Sequence, residues 1–315
     1  MTRTSRTSHT QIVVGIDGGP GGLRAAEYAA MLAREHNLTV RLVHAYHLIG
    51  VATPAMVPIE SADTLRAFGQ NALRAATRRV KDAAPLTEVD STLVMGSAPA
   101  ALINASKSAA LVVVGRNPTH GLERMLTGST STPVAARAHA PVVSVPAQWS
   151  HSNDTARVVV GTDGSTQGRA ALAFAFDEAT RRGSTLTVVR VWAVPPSWAV
   201  DVAHRPSEQE WREDAEIALA EDLAGYSEQY PDVAVTRIVE RSSATARVLL
   251  DHGADASLLV IGARGHGGVP GLDMGMVARN VLAHAGVPVA VVHRADVEHE
   301  PMRPATTRHV AVAKN

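Results

Sequence analysis

VVGIDG at positions 13–18 returns as VVGTDG at 159–164, 146 residues further along a chain of 315. In each copy an uninterrupted β-branched run stops at a glycine, and an aspartate and a second glycine follow. Such a run reads as a strand buried on both faces, the habit of a parallel sheet. Working outward, the echo continues. LVVVG at 111–115 matches LLVIG at 258–262, Gly121 matches Gly268, Gly128 matches Gly275, and APVVSVP at 140–146 matches VPVAVVH at 287–293. The chain is two copies of one unit, at a period far above the ~20–50 residues of solenoid repeats, so it predicts tandem domains. Their expected bounds are 11–147 and 157–294, joined by the polar linker QWSHSNDTA at 148–156. Residues 1–10 read as a disordered tail, and 295–315 as a second tail whose HVAV run could add an edge strand.

Inside each unit, strands alternate with helices. The first unit passes from the run at 12–16 to an Ala-rich helix at about 22–36, the strand TVRLVHAY at 39–46 and a helix at about 62–82. The strand EVDSTLVM, a short helix at 98–108, LVVVG, a glycine-bearing loop, a helix at about 129–138 and the strand PVVSV complete it. The second unit repeats the order, and WREDAEIALAEDLAGYSEQY at 211–230 reads as its clearest amphipathic helix, with Ile217, Leu219 and Leu223 among polar neighbours. This pattern predicts an α/β fold of two tandem, doubly wound, parallel five-stranded sheets in the order 3-2-1-4-5. The order reverses between strands 1 and 4, so a ligand crevice should open at their carboxyl ends.

Composition narrows the function. Thirty basic and thirty acidic side chains cancel, so no global field gathers nucleic acid or an anionic membrane surface, and neither is expected as a partner. No stretch is long and apolar enough to span a membrane, and no apolar run follows the charged N-terminus as a signal peptide would require. Cysteine is absent, which excludes disulfides, thiolate metal sites and a cysteine nucleophile, and suits the cytoplasm. The 14 histidines show no metal-ligand spacing, and His44 is assigned no role. Trp192, Trp198 and Trp211 read as packing residues around the second unit's central loop.

The candidate residues fall on the crevice. Asp17 and Asp163 stand at the tip of strand 1, where a carboxylate either caps the next helix or accepts hydrogen bonds from a ligand. Strand 4 ends at Gly115 and Gly262, each opening a loop toward a helix. The second loop, GARGHGGVPGLDMGM from 262 to 276, holds Gly265, Gly267, Gly268, Gly271 and Gly275. Glycines reach positive φ, letting successive N–H groups converge on an anion, and Gly275 should start a helix whose free amides favour phosphate. A P-loop lysine and a G-x-G-x-x-G after strand 1 are both missing. Gly18-Gly19-Pro20-Gly21-Gly22 reads as a tight strand-to-helix turn, while Arg116 and Arg264 could meet phosphates or serve the surface. The expected site is an anion nest facing Asp163 across a gap sized for a nucleoside.

At this point the chain resembles a tandem universal stress protein, over residues 10–146 and 156–294. The family's nucleotide-binding members carry G-x-x-G, nine residues, then G-[S/T] after strand 4. Here Gly262 and Gly265 are followed nine residues on by Gly275-Met276, with methionine at the hydroxyl position. Gly115 is followed by Pro118 in place of the second glycine, then by Gly128-Ser129. The resemblance implies the adenine nucleotide alpha hydrolase-like fold and ATP as ligand, with Mg²⁺ on its phosphates. It implies that Asp17 and Asp163 contact adenosine and that Ala45 and Val191 lie beside the base. Gly115, Gly128, Ser129, Gly262, Gly265 and Gly275 would cradle phosphates, with Met276 among them. It also implies pairing of the two domains through their last strands as a pseudo-dimer, which could dimerise again as a homodimer.

The expected role is a nucleotide-binding stress-response regulator or sensor. No general base pairs with a nucleophile, so turnover beyond slow ATP hydrolysis is not expected. Two rivals stand beside it: a nucleotide-free interaction module with degenerate glycine motifs, and an α/β domain binding flavin or another small molecule.

Overall fold

The computed structural model describes residues 10–47, 61–116, 130–151, 156–194, 206–266 and 272–293. The first half runs β1 (Gln11–Gly15), α1 (Pro20–His36), β2 (Thr39–Tyr46), α2 (Ala62–Ala83), β3 (Val89–Met95), α3 (Ala98–Ala105), β4 (Leu111–Arg116), α4 (Ser131–Arg137) and β5 (Val142–Pro146). The second runs β6 (Arg157–Gly161), α5 (Thr166–Arg182), β7 (Thr185–Trp192), α6 (Glu208–Asp222), α7 (Tyr226–Gln229), β8 (Val235–Arg241), α8 (Thr245–His252), β9 (Leu258–Gly262), α9 (Met276–His284) and β10 (Val289–Val292).

All strands join one sheet in the order β3-β2-β1-β4-β5-β10-β9-β6-β7-β8. Each half keeps the expected order 3-2-1-4-5. The two five-stranded sheets run on as one of ten strands, because β5 and β10 pair antiparallel, Val289 opposite Ser144 and Val291 opposite Val142. The expected pairing through the last strands is therefore present. It gives two apolar edges a partner that each would otherwise expose.

Alternation along the strands builds a core on each face. Ile12 and Val14 pack into one cluster and Val13 into the other, and Val158, Val160 and Val159 repeat this in the second half. The first cluster runs on across both halves. The stretch expected as a polar linker joins it: Trp149 is 5% exposed and packs edge-on against Tyr28, ring centres 5.0 Å apart.

Local chemistry sets the element ends. Gly18 at φ +87° and Gly164 at φ +77° make the turns out of β1 and β6, and Pro20 begins α1 with its fixed φ. Ser165 caps α5 by accepting from Gly168 N–H. The helix expected over 211–230 is instead two. Gly225 takes φ +83° and divides α6 from α7; Leu219 and Leu223 are buried, while Ile217 faces solvent.

Candidate functional site

The crevice predicted from strand order is present in the second half as a cavity of about 300 Å³. β6 supplies Gly161, followed by Thr162 and Asp163; β7 supplies Val189 and Val191; β9 supplies Ile261 and Gly262. Ala263, Arg264 and Gly265 follow β9, and α9 closes the wall with Gly275, Met276, Val277 and Ala278. Thr245 and Leu249 of α8 complete it. The sequence brought together Asp163, Val191, Gly262, Gly265, Gly275 and Met276, and the structure gathers all six. It missed Val189 and the α8 residues. Val189 lies two residues before Val191 on the same face of β7, so strand period would have found it. Nothing local announces α8.

Asp163 is held from two sides. Its Oδ1 accepts the N–H of Ser165 at 3.0 Å, and its Oδ2 accepts the N–H of His266 at 2.8 Å. Burial would raise its pKa, but hydrogen bonds from Ser165 and from the His266 amide, with the nearby His266 ring, outweigh it and hold the carboxyl below its usual value. The carboxylate is therefore ionised at neutral pH, with lone pairs left to accept from a ligand. One expectation is corrected here. The loop does not face Asp163 across an open gap; it touches the carboxylate, and the cavity lies beside that contact.

None of Gly262, Gly265 and Gly275 takes the positive φ expected of the loop's glycines, and two of them are explained by close approach instead. A Cβ on Gly262 would lie 3.0 Å from the Gln167 backbone, and one on Gly265 would lie 2.2 Å from Asp163 Oδ2. Gly262 thus lies close to neighbouring backbone, and Gly265 makes room for the Asp163 carboxylate. Gly275 is different: a Cβ there would find its nearest neighbour, the Ala263 carbonyl oxygen, at 3.6 Å, an ordinary contact. Gly275 precedes α9, and among the described residues no side chain caps that helix, so first-turn residues join the cavity wall with their N–H groups unclaimed by those side chains. Met276, next in line, is 68% exposed. Gly267, Gly268 and Gly271 lie outside the described residues.

In the first half, Asp17 is exposed and its Oδ1 accepts the N–H of Gly19 at 2.8 Å. This repeats the Asp163–Ser165 contact; among the described residues no second donor reaches Asp17 as the His266 amide reaches Asp163. Ala45 sits on β2 opposite Val94 of β3. Gly115 is required by packing, since a Cβ would lie 2.2 Å from the Gly21 backbone. Pro118, Gly128 and Ser129 lie outside the described residues, as does Trp198. His44 is a packed residue, its Nδ1–H donating to the Ile16 carbonyl at 2.8 Å.

The two arginines after the strand-4 glycines part company. Arg264 lines the cavity, and its Nε donates to the Asp273 carbonyl at 3.3 Å. Arg116 leaves its own crevice and donates to the carbonyls of Leu282, at 2.6 Å, and Ala285 at the end of α9. Burial lowers its pKa to about 10, so it stays charged at neutral pH. Among the described residues no group of three or more His, Asp or Glu is placed to hold a cation, and no helix is long and apolar enough to cross a membrane.

The sequence profile described as the Universal stress protein family matches residues 9–146 and 155–293. A universal stress protein of Mycolicibacterium smegmatis is 36% identical over 292 residues, covering 89% of this chain and 96% of its own. One from Mycobacterium tuberculosis is 36% identical over 304 residues, covering 91% and 98%. The crystal structure of a universal stress protein from Archaeoglobus fulgidus superposes with a TM-score of 0.68 at 17% identity, over 91% of this chain and 99% of that one, and shares the fold.

Proposed function

The chain belongs to the universal stress protein family, and from that premise we propose that its second half binds an adenine nucleotide as the regulatory ligand of a stress response. The observation that carries this is the start of α9. An uncapped helix N-terminus opens into a cavity wall that also holds an ionised aspartate, behind a glycine the fold does not need. Asp163 would accept from ribose or base, Val189 and Val191 would lie against the base, and the α9 amides would meet phosphate. ATP is the proposed ligand. Its Mg²⁺ would arrive on the phosphates, since this ion keeps most of its shell in water and phosphate oxygens.

The pairing of β5 with β10 already joins the halves, so a homodimer would need another surface. A second reading has one observation in its favour: Leu272, Met276 and Val277 expose apolar surface beside the cavity, which suits a nucleotide-free interaction module. Denaturing the purified protein and identifying what it releases by chromatography separates the readings. Adenine nucleotide is expected. Flavin would support the small-molecule rival, and an empty release joined to no ATP binding in titration would leave the interaction module.

A further inference from the structure

Arg116 belongs to the first half by sequence and to the second by contact. It ends β4, beside Gly115, yet its guanidinium reaches α9, whose first residues form the cavity wall of the other half. Its two Nη groups donate to the Leu282 and Ala285 carbonyls, while its buried Nε has no partner among the described residues. The negative end of the α9 dipole and those carbonyls are thus what offset the charge. Sliding or tilting α9 would strand a desolvated cation, so the geometry of that helix is fixed from across the sheet.

A second tie reaches the segment that leads into α9. Arg137 of α4 places Nε 3.2 Å from Asp273 Oδ2, and Asp273 receives Arg264 of the cavity wall at its carbonyl. This contact is exposed and weaker. At the position that corresponds to Arg116 in the repeat, the second half has Ala263, which carries no donor to return the tie.

We propose that the first half positions the second half's site, with Arg116 setting the place of α9 and so the place of its N-terminal amides. This rests on the nucleotide reading for its purpose, though not for its geometry.

The test uses the full chain as wild type, Arg116→Met, Arg116→Lys and Arg137→Ala. Hydrogen exchange is followed in the ligand-free protein, and ATP affinity is measured by calorimetry. In Arg116→Met, α9 amides should exchange at least tenfold faster while β9 and α5 keep their protection. ATP affinity should fall five- to tenfold at unchanged stoichiometry. Arg116→Lys should recover part of both, and Arg137→Ala should weaken binding about twofold. Wild-type exchange in Arg116→Met, or loosened α9 with unchanged affinity, overturns the proposal. If Arg116→Met loses protection everywhere, Arg116→Lys and Arg137→Ala decide on the same two readouts. A wild type that gives no heat with ATP defeats the nucleotide reading, and exchange in α9 then decides whether Arg116 places that helix.

Discussion

At the scale of single residues, Gly265 and Gly275 look alike in sequence and differ in kind. A methyl group on Gly265 would drive into Asp163, so Gly265→Ala should destabilise the protein by about 1–3 kcal/mol in urea unfolding, the usual range for overpacking. Gly275→Ala has room, so stability should stay within about 0.5 kcal/mol while calorimetry shows weaker ATP binding. Met276→Ser would restore the hydroxyl that the family's motif carries. A hydrogen bond to a charged group is worth about 1.5–3 kcal/mol, so ATP affinity should rise tenfold or more, at ~1.4 kcal/mol per decade. The sequence made the membership of the site legible, because strand order alone sends Asp163, Gly262 and Gly275 to one crevice. It did not reveal why each glycine is there. That depends on which backbone or side chain passes within a methyl's reach, which is tertiary information.

At the scale of elements, α1 and α5 meet across the two halves through buried polar groups. Arg182 donates to the Tyr28 hydroxyl at 2.9 Å and pairs with Glu178, while His36 Nε2 stands 3.4 Å from Glu178 Oε1. Burial lowers the His36 pKa; Glu178 and Asp177 pull it up, Arg181 and Arg182 push it down, and burial prevails. His293 is lowered too, first by burial. A histidine of lowered pKa takes its proton more readily unfolded than folded, so stability is full above its ordinary 6.5 and falls as pH drops below it. The urea midpoint should therefore be lower at pH 5.5 than at 7.5, and His36→Gln should flatten that slope without removing the share of His293. A midpoint that rises on acidification would contradict this account. None of these partners could be read from periodicity, since they meet only when two helices 146 positions apart in the chain are laid side by side by the sheet.

At the scale of the whole molecule, duplication did most of the work of specifying the fold. Strand order within each half and the place of the second-half crevice followed from buried strands in a repeated unit, while the pairing of the last strands came from the family resemblance. The single continuous sheet followed less directly, because it needs β5 and β10 to find each other and not copies in another chain. An isolated second half, residues 157–294, would expose β10 as an apolar edge, and should self-associate in sedimentation where the full chain would not use that edge. The most direct test of the central claim is the stoichiometry of ATP binding to the full chain by calorimetry, with Asp163→Ala and Asp17→Ala beside it. The second-half cavity predicts one ATP per chain, with affinity lost far more in Asp163→Ala than in Asp17→Ala. Equal losses in the two variants, or no binding to the wild type, would contradict it.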